Sequence, residues 1–245
     1  MRRVRLWKSI ERSITVEHKS GYDLWHQKQE SELHLLGIWY RWVNSILQKE
    51  DLDNKLVLEI GCGRGIFVDY LCGVPNPPRQ YYGCDYSANA IQIAEEKYKG
   101  YANAKWQRED IQYLSFESNY FDTVISCETI EHIPNPAQGL SELYRVLKPG
   151  GKLILTCPNY FNFFGIWCLY RKIIGKPYTE GGQPYVNYIL MPTIFYNLKK
   201  LGFRIEHVHS SELIIPARVP KTYYPVKVPA WFTFFGYRTY YILRK

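Results

Sequence analysis

The stretch LEIGCGRG at 58–65 constrains this chain more than any other feature. Glycines stand at 61, 63 and 65, directly behind the apolar run 55–60. A backbone that must turn sharply and approach a ligand closely needs residues without a Cβ. A buried strand that ends in such a loop, with a helix starting over 65–72, is the opening unit of a nucleotide-binding sheet.

Strand and helix signals alternate from there. QYYGCD at 80–85 reads as a second strand, and Ser87 as the cap of a helix running to about residue 99. Strands follow at 104–108 and 121–127, then a helix at 137–147 stopped by Pro149, Gly150 and Gly151, then a strand at 152–157. Upstream, Leu33, Leu36, Tyr40, Val43 and Leu47 recur at helical spacing and predict an amphipathic helix over 30–48, with a turn at 51–54. The rhythm predicts an α/β fold with a doubly wound, Rossmann-like sheet. The expected organisation is a single domain over 1–245. It comprises an N-terminal helical extension at 1–50, a cofactor-binding core at 55–160, and an irregular aromatic insertion at 160–192. A helix at 192–201 and C-terminal strands over 203–245 follow, the latter interrupted by a proline-rich insertion at 211–236. Long interruptions of a compact fold usually serve as lids or binding loops.

The spacing of the loop selects its ligand. Dinucleotide sites use G-x-G-x-x-G and place a pyrophosphate on the helix N-terminus. Here the pattern is G-x-G-x-G, and Glu59 stands two residues before the first glycine. A carboxylate there repels a pyrophosphate and attracts a cation. S-adenosylmethionine has an adenosine, no phosphate, an ammonium and a sulfonium, and it fits this loop better than a dinucleotide does. Asp85, twenty residues past Gly65, ends the second strand, where an acid accepts both ribose hydroxyls. Asp110 lies just past the third strand, within reach of the adenine amino group, with Ile111 beside the ring. Singly, these acids read as a strand-end charge, a helix cap and a turn residue. In this order, at successive strand ends, they outline one site.

The segments VLEIGCGRG at 57–65, YYGCDYSANAI at 81–91, REDI at 108–111, FDTVISCETIEHIPNP at 121–136 and ELYRVLKPGGKLILTCPN at 142–159 carry a resemblance. Over about residues 55–160 the chain resembles the class I S-adenosylmethionine-dependent methyltransferases. The resemblance implies a seven-stranded sheet whose last strand, at 237–244, runs antiparallel. It implies that Glu59, Gly61, Cys62, Gly63 and Gly65 hold the methionine end of the cofactor, Asp85 the ribose, and Asp110 and Ile111 the adenine. Tyr86 would pack on the adenine face, and Cys127, at the end of the fourth strand, is a further candidate cofactor contact.

Methyl transfer needs alignment and a deprotonated nucleophile. The candidate catalytic cluster is Glu128, Glu131 and His132, an E-x-x-E-H pattern at the end of the fourth strand. Three alternatives stay open. The carboxylates and imidazole hold a divalent metal, or His132 is a general base facing the acceptor, or Glu131 and His132 order the loop. The cluster is similar to one in ubiquinone-pathway O-methyltransferases and in small-RNA 3′-end methyltransferases, where metal binding is implied. The RNA enzymes carry a further His after the fifth strand, and here none occurs between 132 and 207. The metal is therefore the less favoured cofactor, and no ligand set is assigned.

The acceptor is less legible. The segment after Pro158 resembles, more loosely, glycan- and natural-product-tailoring methyltransferases, which implies a substrate lid. Tyr160, Phe163, Phe164, Trp167, Tyr178 and Tyr185 would then wall an acceptor pocket. Aromatics are abundant, with 22 Tyr, 11 Phe and 7 Trp, and such walls suit sugars, phenols and isoprenoids alike. The leading expectation is O-methylation of a small molecule: a glycan, a phenolic or an isoprenoid lipid. The alternatives are a metal-assisted RNA methyltransferase and a non-catalytic binding protein. The net charge of +8, concentrated at both ends, suits nucleic acid. No nucleic-acid module is visible, so that partner is disfavoured. A non-catalytic protein predicts a damaged loop, and this loop is intact. Six cysteines without a C-x-x-C pair read as reduced thiols, and the N-terminus lacks the apolar core of a secretory signal, so a cytoplasmic location is expected. FNFFGIWCLYRKIIGK and PAWFTFFGYR mix large aromatics with Arg and Lys, as interfacial segments do, which raises peripheral membrane contact. Oligomeric state is not legible.

Overall fold

The computed structural model describes residues 21–26, 38–179, 182–211 and 230–245. Seven strands form one sheet in the order β3-β2-β1-β4-β5-β7-β6. They are β1 (Leu56–Ile60), β2 (Gln80–Asp85), β3 (Ala104–Arg108), β4 (Phe121–Cys127), β5 (Leu147–Pro158), β6 (Arg204–Ser211) and β7 (Arg238–Arg244). Pairings β1–β2, β1–β4, β2–β3 and β4–β5 are parallel. The last strand, β7, is antiparallel to both β5 and β6. This is the doubly wound, seven-stranded sheet that the sequence predicts.

Helices flank the strands: α1 (residues 21–26), α2 (Ile38–Ile46), α3 (Lys49–Leu52), α4 (Val68–Cys72), α5 (Ala88–Lys97), α6 (Pro136–Val146), α7 (Phe163–Ile173) and α8 (Met191–Leu201). Side chains of a strand alternate between faces, so a sheet covered on both sides is apolar throughout. Leu58, Ile60, Val124, Leu153 and Leu155 pack with α6 and α8 through Leu140, Leu143, Ile194 and Leu198. Their neighbours Val57, Ile125 and Ile154 pack on the other face with Val43, Phe67 and Leu71. A third, smaller core gathers Tyr160, Phe164, Cys168 and Tyr237 beneath α7. All six cysteines are buried thiols outside any disulfide. No helix among the described residues is long and apolar enough to cross a membrane.

The structure departs from the sequence reading in three places. The expected turn at 51–54 lies partly in α3, because the Asp51 carboxylate accepts from the Gln48 amide at 2.9 Å and closes a helical turn. The strand expected at 152–157 begins at Leu147, and Pro149-Gly150-Gly151 is accommodated by a register shift instead of ending the element. The insertion expected to be irregular holds α7, capped by the Asn162 side chain, which accepts from the Gly165 amide at 3.0 Å. Of the helix expected at 30–48, α2 is the described part. Leu33 and Leu36, the basic N-terminus and residues 212–229 of the second insertion lie outside the described residues.

Asp51 and Lys152 form an ion pair of 2.6 Å with both side chains buried. Removing one partner of such a pair leaves an uncompensated charge away from water. Lys152→Met is therefore expected to cost about 3–5 kcal/mol. The double variant Asp51→Leu with Lys152→Met should recover much of that loss, as read from urea-unfolding midpoints.

Candidate active site

The glycine loop leaves the carboxyl end of β1 and hooks onto β2. The Gly61 and Cys62 amides donate to the Cys84 carbonyl at 2.8 and 3.0 Å. Gly61, Gly63 and Gly65 have φ of 80°, 53° and 75°, a region that side chains disfavour. A Cβ on Gly61 would overlap Thr129, and one on Gly65 would overlap the Trp106 ring. Asp85 braces the loop: its Oδ2 accepts from the Gly63 amide at 2.8 Å and its Oδ1 from the Ser87 amide at 2.9 Å. Each oxygen retains a lone pair for a ligand hydroxyl. Asp110, at the end of β3, accepts through Oδ1 from the Gln112 amide and side chain at 2.9 and 3.2 Å. Ile111 is buried beside it, and the half-buried Tyr86 ring stands edge-on to Tyr22 at 6.4 Å.

Glu59 is 1% exposed. Its oxygens accept from the Tyr81 hydroxyl at 2.6 Å and the Tyr40 hydroxyl at 3.1 Å. Burial pushes its carboxyl up to about 7, outweighing the two hydrogen bonds that pull it down. Cys62 and Cys127 are buried close by, and burial holds both thiols far above their ordinary value, so neither is a thiolate nucleophile.

The three residues of the E-x-x-E-H pattern do not share one centre. Glu128, at φ 48°, turns towards β5 and β7. Its Oε1 accepts from the Thr156 hydroxyl at 2.9 Å, and its Oε2 pairs with Arg238 Nε at 3.1 Å. Glu131 and His132 lie in a buried 3₁₀ turn, Ile130–His132. His132 Nδ1 is 2.8 Å from the Tyr185 carbonyl, which accepts only from a protonated nitrogen. Nε2 therefore carries the lone pair. It makes no hydrogen bond among the described residues and stands 3.5 Å from Glu131 Oε1. Burial lowers the imidazole to about 4, and the Tyr185 carbonyl opposes this only in part. Among the described residues no group of three or more His, Cys, Asp or Glu is arranged to hold a metal.

Two elements close over this arrangement, the first missed by sequence reasoning and the second part of the insertion expected at 160–192. The Tyr22 hydroxyl on α1 donates to the His132 and Tyr185 carbonyls, each at 3.3 Å. Asp23 accepts from the Ser87 hydroxyl at 2.6 Å, and the His26 carbonyl accepts from the Arg64 guanidinium. The second element is a strap after α7, where the Asn187 amide donates to the Glu131 carbonyl at 2.7 Å. A single helical turn more than thirty residues before the glycine loop carries no spacing signal, and the strap has no regular periodicity. The residues expected to wall an acceptor pocket divide differently. Tyr160 and Phe164 are packed in the third core, Trp167 and Tyr178 lie against it, and Phe163 points outward. Of the six, Tyr185 reaches the candidate cluster, its carbonyl lying 2.8 Å from His132 Nδ1.

Residues 58–155 match a family model described as a methyltransferase domain. A demethylmenaquinone methyltransferase of Geobacillus sp. (strain WCH70) is 29% identical over 154 residues, 57% of this chain and 66% of the relative. The corresponding enzyme of Lactiplantibacillus plantarum is 32% identical over 123 residues, 49% of this chain and 52% of the relative. The matches thus span less than two thirds of these curated relatives. Among solved structures, a methyltransferase from Haloferax volcanii in complex with the Trm112 activator superposes with a TM-score of 0.66 at 16% identity, covering 91% of this chain and 96% of that one. An S-adenosylmethionine-dependent methyltransferase from Aquifex aeolicus gives 0.58 at 17% identity, covering 90% and 97%. At these identities the superpositions report the shared fold.

The His132 geometry has a direct spectroscopic consequence. In nitrogen-detected NMR its imidazole should keep the Nδ1–H tautomer from pH 8 down to pH 5 and titrate near 4. A titration near 6.5 would mean that the ring reaches water.

Proposed function

We propose, on the premise that this chain belongs to the class I S-adenosylmethionine-dependent methyltransferases, that it methylates a hydroxyl of a small apolar acceptor of the phenol or quinol class. The names of the demethylmenaquinone relatives support the acceptor class. The observation that carries the chemistry is the bare Nε2 lone pair of His132, buried and without a hydrogen bond among the described residues. It sits in the same turn as Thr129, which abuts Gly61 of the glycine loop.

The residues present fit the cofactor. A glycine cradle in which a Cβ meets Thr129 or Trp106, a buried carboxylate at Glu59 and a braced carboxylate at Asp85 suit a cationic nucleoside without phosphate. Glu59 would face its cationic end, Asp85 the ribose, and Asp110, Ile111 and Tyr86 the base. Bound there, S-adenosylmethionine supplies an electrophilic methyl group. The chain's own work is alignment, exclusion of water and removal of the acceptor's proton. His132 Nε2 takes that proton, and the Tyr185 carbonyl on Nδ1–H fixes the ring and supports the imidazolium. Glu131, 3.5 Å away, stabilises the same charge. Glu128 positions: held by Thr156 and Arg238, it ties the end of β4 to β5 and β7.

Cofactor binding should depend on pH through Glu59. The free protein keeps this carboxyl protonated below about 7. A cation beside it favours the carboxylate, so binding below pH 7 must expel a proton, and affinity falls as pH drops. Titration calorimetry should give roughly tenfold weaker binding at pH 6 than at pH 8, and Glu59→Gln should remove the difference. Equal affinity at both pH values in the natural protein removes Glu59 from the cofactor's charged end. Absence of binding at either pH, by folded protein, sinks the methyltransferase reading.

His132→Ala should leave cofactor affinity intact and lower transfer of labelled methyl to 1,4-naphthoquinol by about 100-fold, with partial recovery on adding imidazole. Turnover at the natural level rejects His132 as base. A product methylated on a ring carbon rejects the oxygen assignment while retaining methyl transfer.

A further inference from the structure

The helix α7 is apolar on two faces, and only one of them has a core to join. Phe164 and Cys168 are buried in the third core beneath it. Phe163, Ile166, Leu169, Tyr170 and Ile173 recur at helical spacing on the opposite side, with Phe163 and Ile173 75% exposed and Ile166 65% exposed. A surface helix of a water-soluble domain normally shows charge on that side. Among the described residues nothing covers this stripe. It continues at the helix N-terminus into Phe161, which stacks on Phe235 at 5.8 Å, with Phe234 also exposed.

The charge within α7 and the turn behind it has one sign. Residues 159–179 contain Arg171, Lys172 and Lys176 and no acidic side chain. The Arg171 guanidinium lies over the Trp167 ring at 5.3 Å, and the Lys172 ammonium 5.7 Å from the Tyr188 ring. Large apolar side chains on one face, with cations and aromatics at its edge and no acid, are the chemistry of a helix that lies in the interface of an anionic bilayer. Negative lipid attracts the cations, and the acyl region takes the apolar side chains.

The platform is held firmly at the end of β5. Asn159, fully buried at the end of β5, donates to the Phe234 and Gly236 carbonyls at 2.8 and 2.9 Å. Its Oδ1 accepts from the Phe161 and Met191 amides, both at 2.9 Å. One side chain thus locks together the entry to α7, the turn Ala230–Phe235 and the start of α8. All of these leave the carboxyl edge of the sheet, the edge that carries Glu128, Glu131 and His132.

The geometry points to an anionic lipid surface as the partner of the outer face of α7. Docking there brings the bilayer to the element that leaves the carboxyl end of β5. This needs no assumption about the acceptor, and its test uses no turnover.

The full chain should float with vesicles of equal parts phosphatidylglycerol and phosphatidylcholine, and much less with phosphatidylcholine alone. The double variant Ile166→Asp with Ile173→Asp should lose at least about tenfold in partitioning. Its circular dichroism and thermal midpoint should stay unchanged, because both side chains point outward. An environment-sensitive fluorophore on Ile166→Cys, specific because the six native cysteines are buried, should shift to the blue when the anionic vesicles are added. Failure of the natural chain to float, flotation of the double variant at the natural level, or an unshifted fluorophore overturns the proposal. A dimer by light scattering that dissociates in the double variant also overturns it and assigns the face to a second copy of the chain.

Discussion

A carboxylate placed in the middle of a sheet must be given partners by the fold around it, and at Glu59 that requirement organises the centre of the molecule. The side chain lies on β1, flanked by β2 and β4. Its partners come from elsewhere: Tyr81 from β2 and Tyr40 from α2. The two hydroxyls replace much of the lost hydration, yet the carboxyl remains raised to about 7. Tyr40 in turn stacks on Phe67 at 4.7 Å, so the helix that satisfies the acid also seals the core below the glycine loop. A hydrophobic residue at 59 would ease burial and remove an ionisable group from the strand that leads into the loop. Keeping an acid there at a cost in solvation is the pattern expected where a site requires it.

Contacts that hold the fold together also shape the candidate site at this edge. The Thr129 side chain fills the space that a Cβ on Gly61 would need, so the glycine allows the β1 and β4 loops to touch. The carboxylate of Asp85 ties down the Gly63 amide and caps the entry to α5 through Ser87. Tyr22 and Asn187 then bind the backbone around Glu131 and His132 from two directions. Water is thereby kept from the imidazole, and the ring is held as a neutral acceptor.

The sheet was legible because its signals are local. Turn residues, a β-branched or aromatic run and a glycine loop each report on a few neighbours, and β1 to β4 fell within a residue or two of their expected places. The placement of Glu59, Asp85 and Asp110 at successive strand ends followed from the order of those strands. What could not be read depends on partners distant in sequence. Glu128 is claimed by Arg238, 110 residues away, so a cluster that is compact in sequence divides in space. Tyr22 reaches His132 across a similar separation, from a turn with no motif of its own. The periodicity of α7 was obscured because apolar residues occupy two sides of the helix, leaving no polar stripe to mark its phase.

Folding shifts Glu59 and His132 in opposite senses. Folding raises the Glu59 carboxyl from 4.5 to about 7, so across that window the native state binds more protons than the unfolded chain, and stability declines as pH rises. Folding lowers the His132 imidazole from 6.5 to about 4, so there the native state binds fewer protons, and stability increases as pH rises. The windows overlap between about 4.5 and 6.5, and within it the two slopes oppose. The fold thus exchanges an imidazolium and a carboxylate, the forms both groups take in water, for a neutral imidazole and a neutral acid, with little net proton uptake. If the loop seats a cation as proposed, half of that exchange reverses: Glu59 returns to its charged form while His132 keeps its lone pair. Both shifts have one cause, withdrawal from water, which leaves the imidazole neutral and the carboxyl ready to ionise beside a cation.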